Sequence, residues 1–131
     1  MNIEVFSLCD AATVDLAGKL NVLGAFDTIW AANMPAIYPQ CAIALRVRFE
    51  NIERGEHKVA VNFVNMDGKH IVPSAMGAIN INFPDEQRSG SANLVLNLQM
   101  LKLEKYGEYA IDLAVDSRNE VSLPLFVREK R

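Results

Sequence analysis

The sequence lacks the features that mark several protein classes. It has two cysteines, two histidines and one tryptophan in 131 residues, and no stretch approaches the roughly 18 consecutive apolar residues of a membrane-spanning helix. Residues 1–6 show neither the basic segment nor the apolar run of a signal peptide. Cys9 and Cys41 lie in apolar runs without a CxxC or Cys/His spacing. We therefore expect two buried, reduced thiols in a cytoplasmic protein that does not bind membranes.

An excess of basic charge is also missing. Lys and Arg number 13 against 16 Asp and Glu, which leaves a net charge of −3. Nucleic-acid-binding proteins normally gather a basic excess on one face, because contacts with phosphate dominate their affinity. The only basic cluster, Arg128 with Lys130 and Arg131, is interpreted as a solvated end. The sequence predicts no nucleic-acid partner.

What the sequence does have is the composition of one globular domain. Hydrophobic residues make up 50% and charged residues 22%, close to the average of soluble domains. The length matches a single folding unit, and no linker or internal repeat interrupts it. We predict one domain that spans residues 1–131.

Apolar and polar residues alternate along most of the chain, which is typical of half-buried β-strands. The clearest run, Cys41–Glu50, places five apolar side chains on one face and both arginines on the other. Segments 2–9 and 19–29 are less regular, and Gly24 indicates a bulge or burial on both faces. The same alternation predicts further strands over 58–63, 79–83, 93–99, 109–116 and 121–128.

Turn-forming residues separate these runs. Asp67–Gly68 is the strongest hairpin signal, because both central residues of such a turn need positive φ. Other connections are expected at 10–18, 31–39, 53–56, 84–91 and 116–119, with a single helical turn at 101–106. Eight or nine short strands at this spacing predict an all-β fold, an antiparallel β-sandwich.

The residues around Tyr109 narrow this prediction. Leu103–Ile111 is similar to the corner before strand F of immunoglobulin-like sandwiches, in which a tyrosine hydroxyl bonds to the preceding turn. Tyr109 would be that tyrosine, and Ile111 would stand where antibody domains keep a cysteine. The core tryptophan of antibody domains is missing, since Trp30 falls at a strand end. We predict an immunoglobulin-like arrangement without the antibody disulfide, with Tyr109 and Gly68 as structural residues.

No catalytic motif or cofactor fingerprint is present. His57 and His70 could face each other across one hairpin, but a metal site needs a third ligand, and none is placed. We therefore expect no metal, no cofactor and no enzymatic activity. Acidic residues in predicted loops lack the convergent spacing of a calcium site and are interpreted as turn formers: Asp10, Asp15, Asp85, Glu86 and Asp116.

The segment Trp30–Pro39 is too apolar for a freely solvated loop. One interpretation is a lid that packs over one end of the core, with its prolines restricting the unfolded chain. The other is a recognition loop in which Trp30 and Tyr38 anchor a ligand. Both interpretations stay open at this point.

Four segments carry a resemblance to a known family: Ser7–Ala12, Lys19–Asp27, Cys41–Glu50 and Gly107–Val127. The chain resembles a family of small bacterial proteins of unknown function over nearly its whole length. The resemblance implies a cytosolic β-sandwich and brings no catalytic residue, cofactor or partner with it.

Two hypotheses for the function follow. The first is a protein-binding or assembly module that acts through a sheet face, with another protein or a second copy of itself as the partner. If the strands at 40–50, 108–116 and 120–128 share a sheet, their outward residues form a flat apolar surface. A second copy packed on this surface would bury the outward ring of Phe126. The alternative is a small-molecule or carbohydrate-binding domain, with or without hydrolytic activity, that uses the 30–39 loop. The candidate binding residues are Trp30, Tyr38, Phe126, Ala42, Ala44, Ala110 and Ala114.

Overall fold

The chain forms two β-sheets that pack face to face. A computed structural model describes all 131 residues. The sheets have the strand orders β2-β1-β4-β7 and β3-β9-β8-β5-β6, and no helix has the length and apolar character that a membrane crossing requires. The predicted all-β sandwich is confirmed. Its elements are β1 (Asn2–Val14), β2 (Leu20–Ala25), β3 (Thr28–Ala31), β4 (Ala36–Glu50), a 3₁₀ helix (Asn51–Glu53), β5 (Gly55–Val64), β6 (Ala75–Ile81), β7 (Ser89–Leu103), β8 (Gly107–Val115) and β9 (Arg118–Glu129).

The core lies between the two sheets and is entirely apolar. Alternation sends every second side chain of a strand toward the opposite sheet, and the inward residues of β4 from Cys41 to Phe49 are fully buried. They join a cluster of 21 buried residues, in which Phe49 and Phe63 are the largest fully buried side chains. No polar or charged residue is buried, so apolar burial holds the sheets together.

The two longest strands change the face that they turn to the core at one shared position. The leucines of β7 before Met100 occupy even positions, whereas Leu101 and Leu103 beyond it are buried at odd positions. The register places Pro39 of β4 opposite Met100, whose φ is 55°. Proline lacks the N–H that a regular ladder uses. Because β7 continues to Leu103 through this bend, the helical turn predicted at 101–106 is wrong.

Several predicted boundaries change. The loops expected at 10–18 and 31–39 shrink to 15–19 and 32–35 because β1 and β4 are longer than predicted. The segment 19–29 is two strands: β2 belongs to the four-stranded sheet and β3 to the five-stranded sheet. The register of β1 with β2 passes Gly24 without a shift, and Gly24 is exposed, so the bulge or two-sided burial predicted there is wrong.

Strand β4 does not share a sheet with β8 and β9. It pairs with β1 and β7, whereas β8 and β9 pair with each other in the opposite sheet. The predicted grouping of 40–50 with 108–116 and 120–128 is therefore wrong. Alternation specifies which face of a strand is buried and leaves its neighbours open. The immunoglobulin-like arrangement stays a prediction.

The turns at 116–117 and 67–68 contain residues with left-handed backbone conformation, but Asp67, contrary to the prediction, is not one of them. Asp116 and Ser117 have φ of 52° and 69°, the pattern of a two-residue type I′ turn. Gly68 has φ of 78°, but Asp67 does not have positive φ, so the expectation for Asp67 is wrong. The side-chain oxygen of Asn65 closes this turn by accepting the N–H groups of Asp67 and Lys69 at 2.9 and 3.0 Å.

The Tyr109 hydroxyl makes the contact with the preceding turn that its position predicts. It donates to the carbonyl oxygen of Lys105 at 2.6 Å and accepts the Lys105 N–H at 3.2 Å. The side chain is buried at the start of β8. Tyr109 thus fastens the β7–β8 turn to the core.

Candidate functional site

The apolar part of the outer face of the four-stranded sheet is covered by the chain itself. Ala42 and Ala44, expected on an exposed surface, are 1% and 0% exposed, and their neighbour Cys9 is equally buried. The prediction that these two alanines line a binding surface is therefore wrong. Three apolar side chains pack on them: Ala12, Leu20 and Val95.

The cover is the β1–β2 hairpin. The last β1–β4 pair is Cys9 with Ala42, and the residues from Ala11 to Val14 pair with β2 alone. The turn at 15–19 reaches β7, where the Asn93 side-chain amide donates to the carbonyl oxygen of Gly18 at 2.9 Å. The small side chains at 42 and 44 leave room for this close approach. They are packing residues.

The outer face of the five-stranded sheet has no such cover, and we call it the open face. Its register sets Phe126 beside Thr28 and Glu108, and Ala110 beside Pro124. Ala110 and Ala114, unlike the alanines of β4, keep partly exposed positions. The apolar residues of this face are half-buried or exposed: Trp30, Ala60, Val64, Met76, Ala78, Ala110, Ala114, Pro124 and Phe126.

Phe126 has the outward position that was predicted for it. Its ring is half-buried, and the guanidinium carbon of Arg128 lies 4.9 Å from the ring centroid, within the range of a cation–π contact. Farther along the sheet, the Ser122 hydroxyl donates to Asp112 Oδ1 at 2.6 Å. An apolar stripe with an aromatic–arginine pair is a combination that protein interfaces favour.

Trp30 lies at the edge of the open face. It sits on β3 opposite Arg128 in the one parallel strand pair, and its side chain is 60% exposed. We call its surroundings the Trp30 corner: Trp30 borders an open depression with Arg128, Glu129, Lys130 and Arg131. One carboxylate among three cations is not the convergent acidic set that the carbohydrate-binding hypothesis requires.

Tyr38 is not an exposed anchor. It lies in β4, its ring packs tilted against Phe26 with centroids 5.1 Å apart, and its hydroxyl donates to Asp10 Oδ1 at 2.6 Å. This hydrogen bond and the burial of the ring raise the pKa of Tyr38 to about 12. Because Tyr38 and Trp30 belong to different sheets, the predicted recognition loop with two aromatic anchors is not formed.

A cleft between the β5–β6 and β7–β8 turns was not found from the sequence. It has a volume of about 280 Å³ and an apolar floor that includes Ile71 and Tyr106. Met66 is 80% exposed at its edge. An apolar side chain inside the otherwise polar turn 65–69 was the feature of the sequence that could have indicated this cleft. We call this feature the acidic cleft, since its rim carries Asp67, Glu104 and Glu108 against the single cation Lys105.

His57 forms a polar network at the opposite turns, those of 51–54 and 116–117. Its ring stacks on Phe49 with centroids 4.3 Å apart. Nδ1 lies 2.6 Å from Asp116 Oδ2, and Nε2 lies 2.5 Å from the carbonyl oxygen of Glu53. Asp116 Oδ1 also accepts the Lys58 N–H at 2.9 Å. The predicted pairing of His57 with His70 across one hairpin is wrong, since Ile79 stands opposite His57 and Val64 opposite His70.

Both ring nitrogens of His57 face acceptors, so only the protonated imidazole can donate to both at once. Burial opposes the charged ring, but the hydrogen bonds to Glu53 and Asp116 together outweigh it and raise the pKa of His57. In return, the hydrogen bond from His57 lowers the pKa of Asp116. The Glu53 carboxylate accepts the Glu50 N–H at 2.8 Å and the Met1 ammonium at 2.9 Å, which ties the helix 51–53 into the same network.

Comparison with known proteins establishes the family. A model described as "Family of unknown function (DUF6941)" matches residues 4–128. The chain belongs to this family. A comparison with curated proteins found no match. Among solved structures, the chain is similar to the Pseudomonas fluorescens alkylpurine DNA glycosylase AlkC bound to DNA containing an abasic site analog, with 8% identity and a TM-score of 0.43 over 78% of this chain. This chain spans 28% of the length of that protein.

Most acidic side chains of this DUF6941 chain accept hydrogen bonds from, or form ion pairs with, nearby groups of the same chain. Asp10 accepts from Tyr38, and Asp15 accepts the N–H groups of Ala17 and Lys19. Asp85 pairs with Arg54 at 2.5 Å. No group of three or more His, Cys, Asp or Glu side chains converges in a way that could hold a metal ion. The arrangement offers surfaces for contact, and His57 has no free ring nitrogen with which to act as a base.

Proposed function

We propose that this DUF6941 protein is a non-enzymatic binding module that engages a protein partner through the open face. The observation that supports it is the difference between the two sheets. The chain covers the apolar part of one outer face with its own hairpin, where Cys9, Ala42 and Ala44 are buried. It leaves the other face uncovered, with Phe126 and Ala114 only partly shielded.

The composition of the open face supports a protein as the ligand. Its apolar residues run from Trp30 at one edge to Met76 near the other, a spread that suits an extended surface and not an enclosed small molecule. Among its charges, Arg128 lies beside Trp30 at the edge, whereas Asp112 lies on the central strand β8 and accepts a hydrogen bond from Ser122. Aromatic and arginine side chains in this setting are the usual anchors of protein interfaces.

We place this activity in the bacterial cytoplasm, as the family resemblance implies. The two cysteines are free and buried, a state that suits a reducing compartment. The alternative, a carbohydrate-binding or hydrolytic domain, required Trp30 or Tyr38 with convergent carboxylates. Trp30 lies mainly among cations, and Tyr38 packs against Phe26, which supports the first proposal.

Site-specific photo-crosslinking in the native host tests the proposal. A photoreactive residue at Ala114 reports on the open face, and the same residue at Leu23, an exposed apolar position on β2, is the matched control. We expect discrete crosslinked partners from position 114 only, and their loss when Phe126→Glu is added. Equal yields from both positions, or yields at 114 that ignore Phe126→Glu, would contradict the proposal.

A further inference from the structure

One end of the sandwich carries two neighbouring regions of opposite charge. The acidic cleft has three carboxylates, those of Asp67, Glu104 and Glu108, against the ammonium group of Lys105. Lys102, outside the cleft, pairs with Glu104 at 3.4 Å. The Trp30 corner has three cations, those of Arg128, Lys130 and Arg131, and one carboxylate. Tyr106 joins the two regions, because it lines the cleft while its hydroxyl donates to the carbonyl oxygen of Ala31, next to Trp30, at 2.9 Å.

The two regions also differ in shape. The cleft, at about 280 Å³, is at the small end of the roughly 300–1,000 Å³ range of sites that enclose a small molecule, a size that a single large side chain can fill. Its apolar parts are Met66, Ile71 and Tyr106. The Trp30 corner presents such a side chain, since Trp30 is 60% exposed although tryptophan is mostly buried in folded proteins.

We infer that the acidic cleft of one copy receives the Trp30 corner of a second copy of this chain. Charge complementarity selects this occupant, because each copy carries both the acidic and the basic region. In a two-fold dimer, every contact occurs twice. A two-fold axis near Tyr106 would bring each Trp30 to the other copy's cleft and set Arg128 and Lys130 against Glu104 and Glu108. This pairing uses the end of the sandwich and shares Trp30 and Arg128 with the edge of the open face.

The pairing should be weak and sensitive to salt. The contact rests on one aromatic side chain and a few exposed charges, whereas a standard stable interface buries roughly 1,200–2,000 Å². Attraction between exposed charges is screened by salt. We therefore expect a dimer at high micromolar concentration that dissociates on dilution and at high ionic strength.

Reciprocal charge reversal gives a specific test by sedimentation equilibrium. In the basic-corner variant, Arg128→Glu is combined with Lys130→Glu. In the cleft variant, Glu104→Lys is combined with Glu108→Lys. All four side chains are exposed, so both variants should fold, which circular dichroism checks. Each variant alone places like charges together and should be monomeric, whereas their equimolar mixture restores opposite charges at both contacts and should dimerise.

Trp30 supplies a second readout, since it is the one tryptophan of the chain. Dimerisation should shift its fluorescence maximum to shorter wavelength as the wild-type concentration rises, and the same shift should appear when the two variants are mixed. A wild type that stays monomeric at high micromolar concentration overturns the inference. A wild-type dimer that both variants retain, or a mixture that stays monomeric, overturns it as well and assigns any self-association to another surface.

Discussion

At the scale of single residues, the Tyr109 hydroxyl holds the β7–β8 turn through both polar groups of Lys105. Replacement of Tyr109 by phenylalanine keeps the buried ring and leaves the Lys105 groups without this partner. A hydrogen bond of this kind contributes about 1 kcal/mol to the free energy of unfolding. We expect Tyr109→Phe to lower that free energy by this amount in urea denaturation.

Tyr106→Phe is the matched control for this measurement. Tyr106 also donates to a backbone carbonyl, that of Ala31, at 2.9 Å, but its side chain is 39% exposed. Water can replace an exposed hydrogen bond at little cost, so this variant should change stability less. If both variants lower the free energy of unfolding equally, the buried Tyr109 hydroxyl has no special role in holding the turn.

The two cysteines lie on opposite faces of the four-stranded sheet. Cys41 belongs to the central core, whereas Cys9 packs with Ala42 and Ala44 under the hairpin. Burial raises the pKa of Cys9 and raises that of Cys41 to about 11, so little reactive thiolate exists at neutral pH. We expect both thiols to react slowly with a thiol reagent in the native protein and quickly in urea. A Cys9–Cys41 disulfide in the mass of the native protein would contradict this.

At the scale of elements, the His57 network joins β5, the helix 51–53 and the β8–β9 turn. Because the folded-state pKa of His57 is raised, its contribution to stability is fully present below the unfolded pKa of about 6.5. It is lost as the pH rises through the folded value. We expect the urea midpoint of the wild type to fall over this window more than that of His57→Gln.

When the wild type and His57→Gln are compared at each pH, the contributions of other titrating groups to stability, including those of the buried thiols, cancel. Asp116→Asn provides a second check, because it removes the charge that accepts from Nδ1 and should reduce the same pH dependence. The lowered pKa of Asp116 adds stability that is lost when the pH falls through that value. Parallel pH profiles for the wild type and His57→Gln would show that the network does not couple protonation to folding.

The strands could be predicted from the sequence wherever one face is buried and the other is not. Cys41–Glu50 is the best case, because the alternation that predicts it is the alternation that fills the core. The prediction failed at 101–106, where Met100 and Pro39 shift the pattern by one residue. A local shift of this kind looks like the end of a strand when only one strand is read. The cross-strand partner that continues the pairing is not visible in sequence.

At the scale of the whole molecule, the candidate surface could be predicted only in part. Phe126, Ala110 and Ala114 were found because an outward position follows from alternation alone. Ala42 and Ala44 have the same local pattern, but the β1–β2 hairpin that covers them is distant in sequence. The acidic cleft likewise depends on two turns, around Met66 and Tyr106, that only the fold brings together.

The difference between the two sheets gives a prediction that separates these alanines. Glutamine adds a long, uncharged polar side chain. At Ala44, which is 0% exposed, it must displace the hairpin or bury its amide, and we expect a loss of roughly 3 kcal/mol in the free energy of unfolding. At Ala114, which is partly exposed on the open face, the change should stay within about 0.5 kcal/mol. Urea denaturation of Ala44→Gln and Ala114→Gln, beside the wild type, compares them directly. Equal stability of the two variants would mean that the hairpin does not cover the four-stranded sheet in solution, and the main support for a binding role of the open face would be lost.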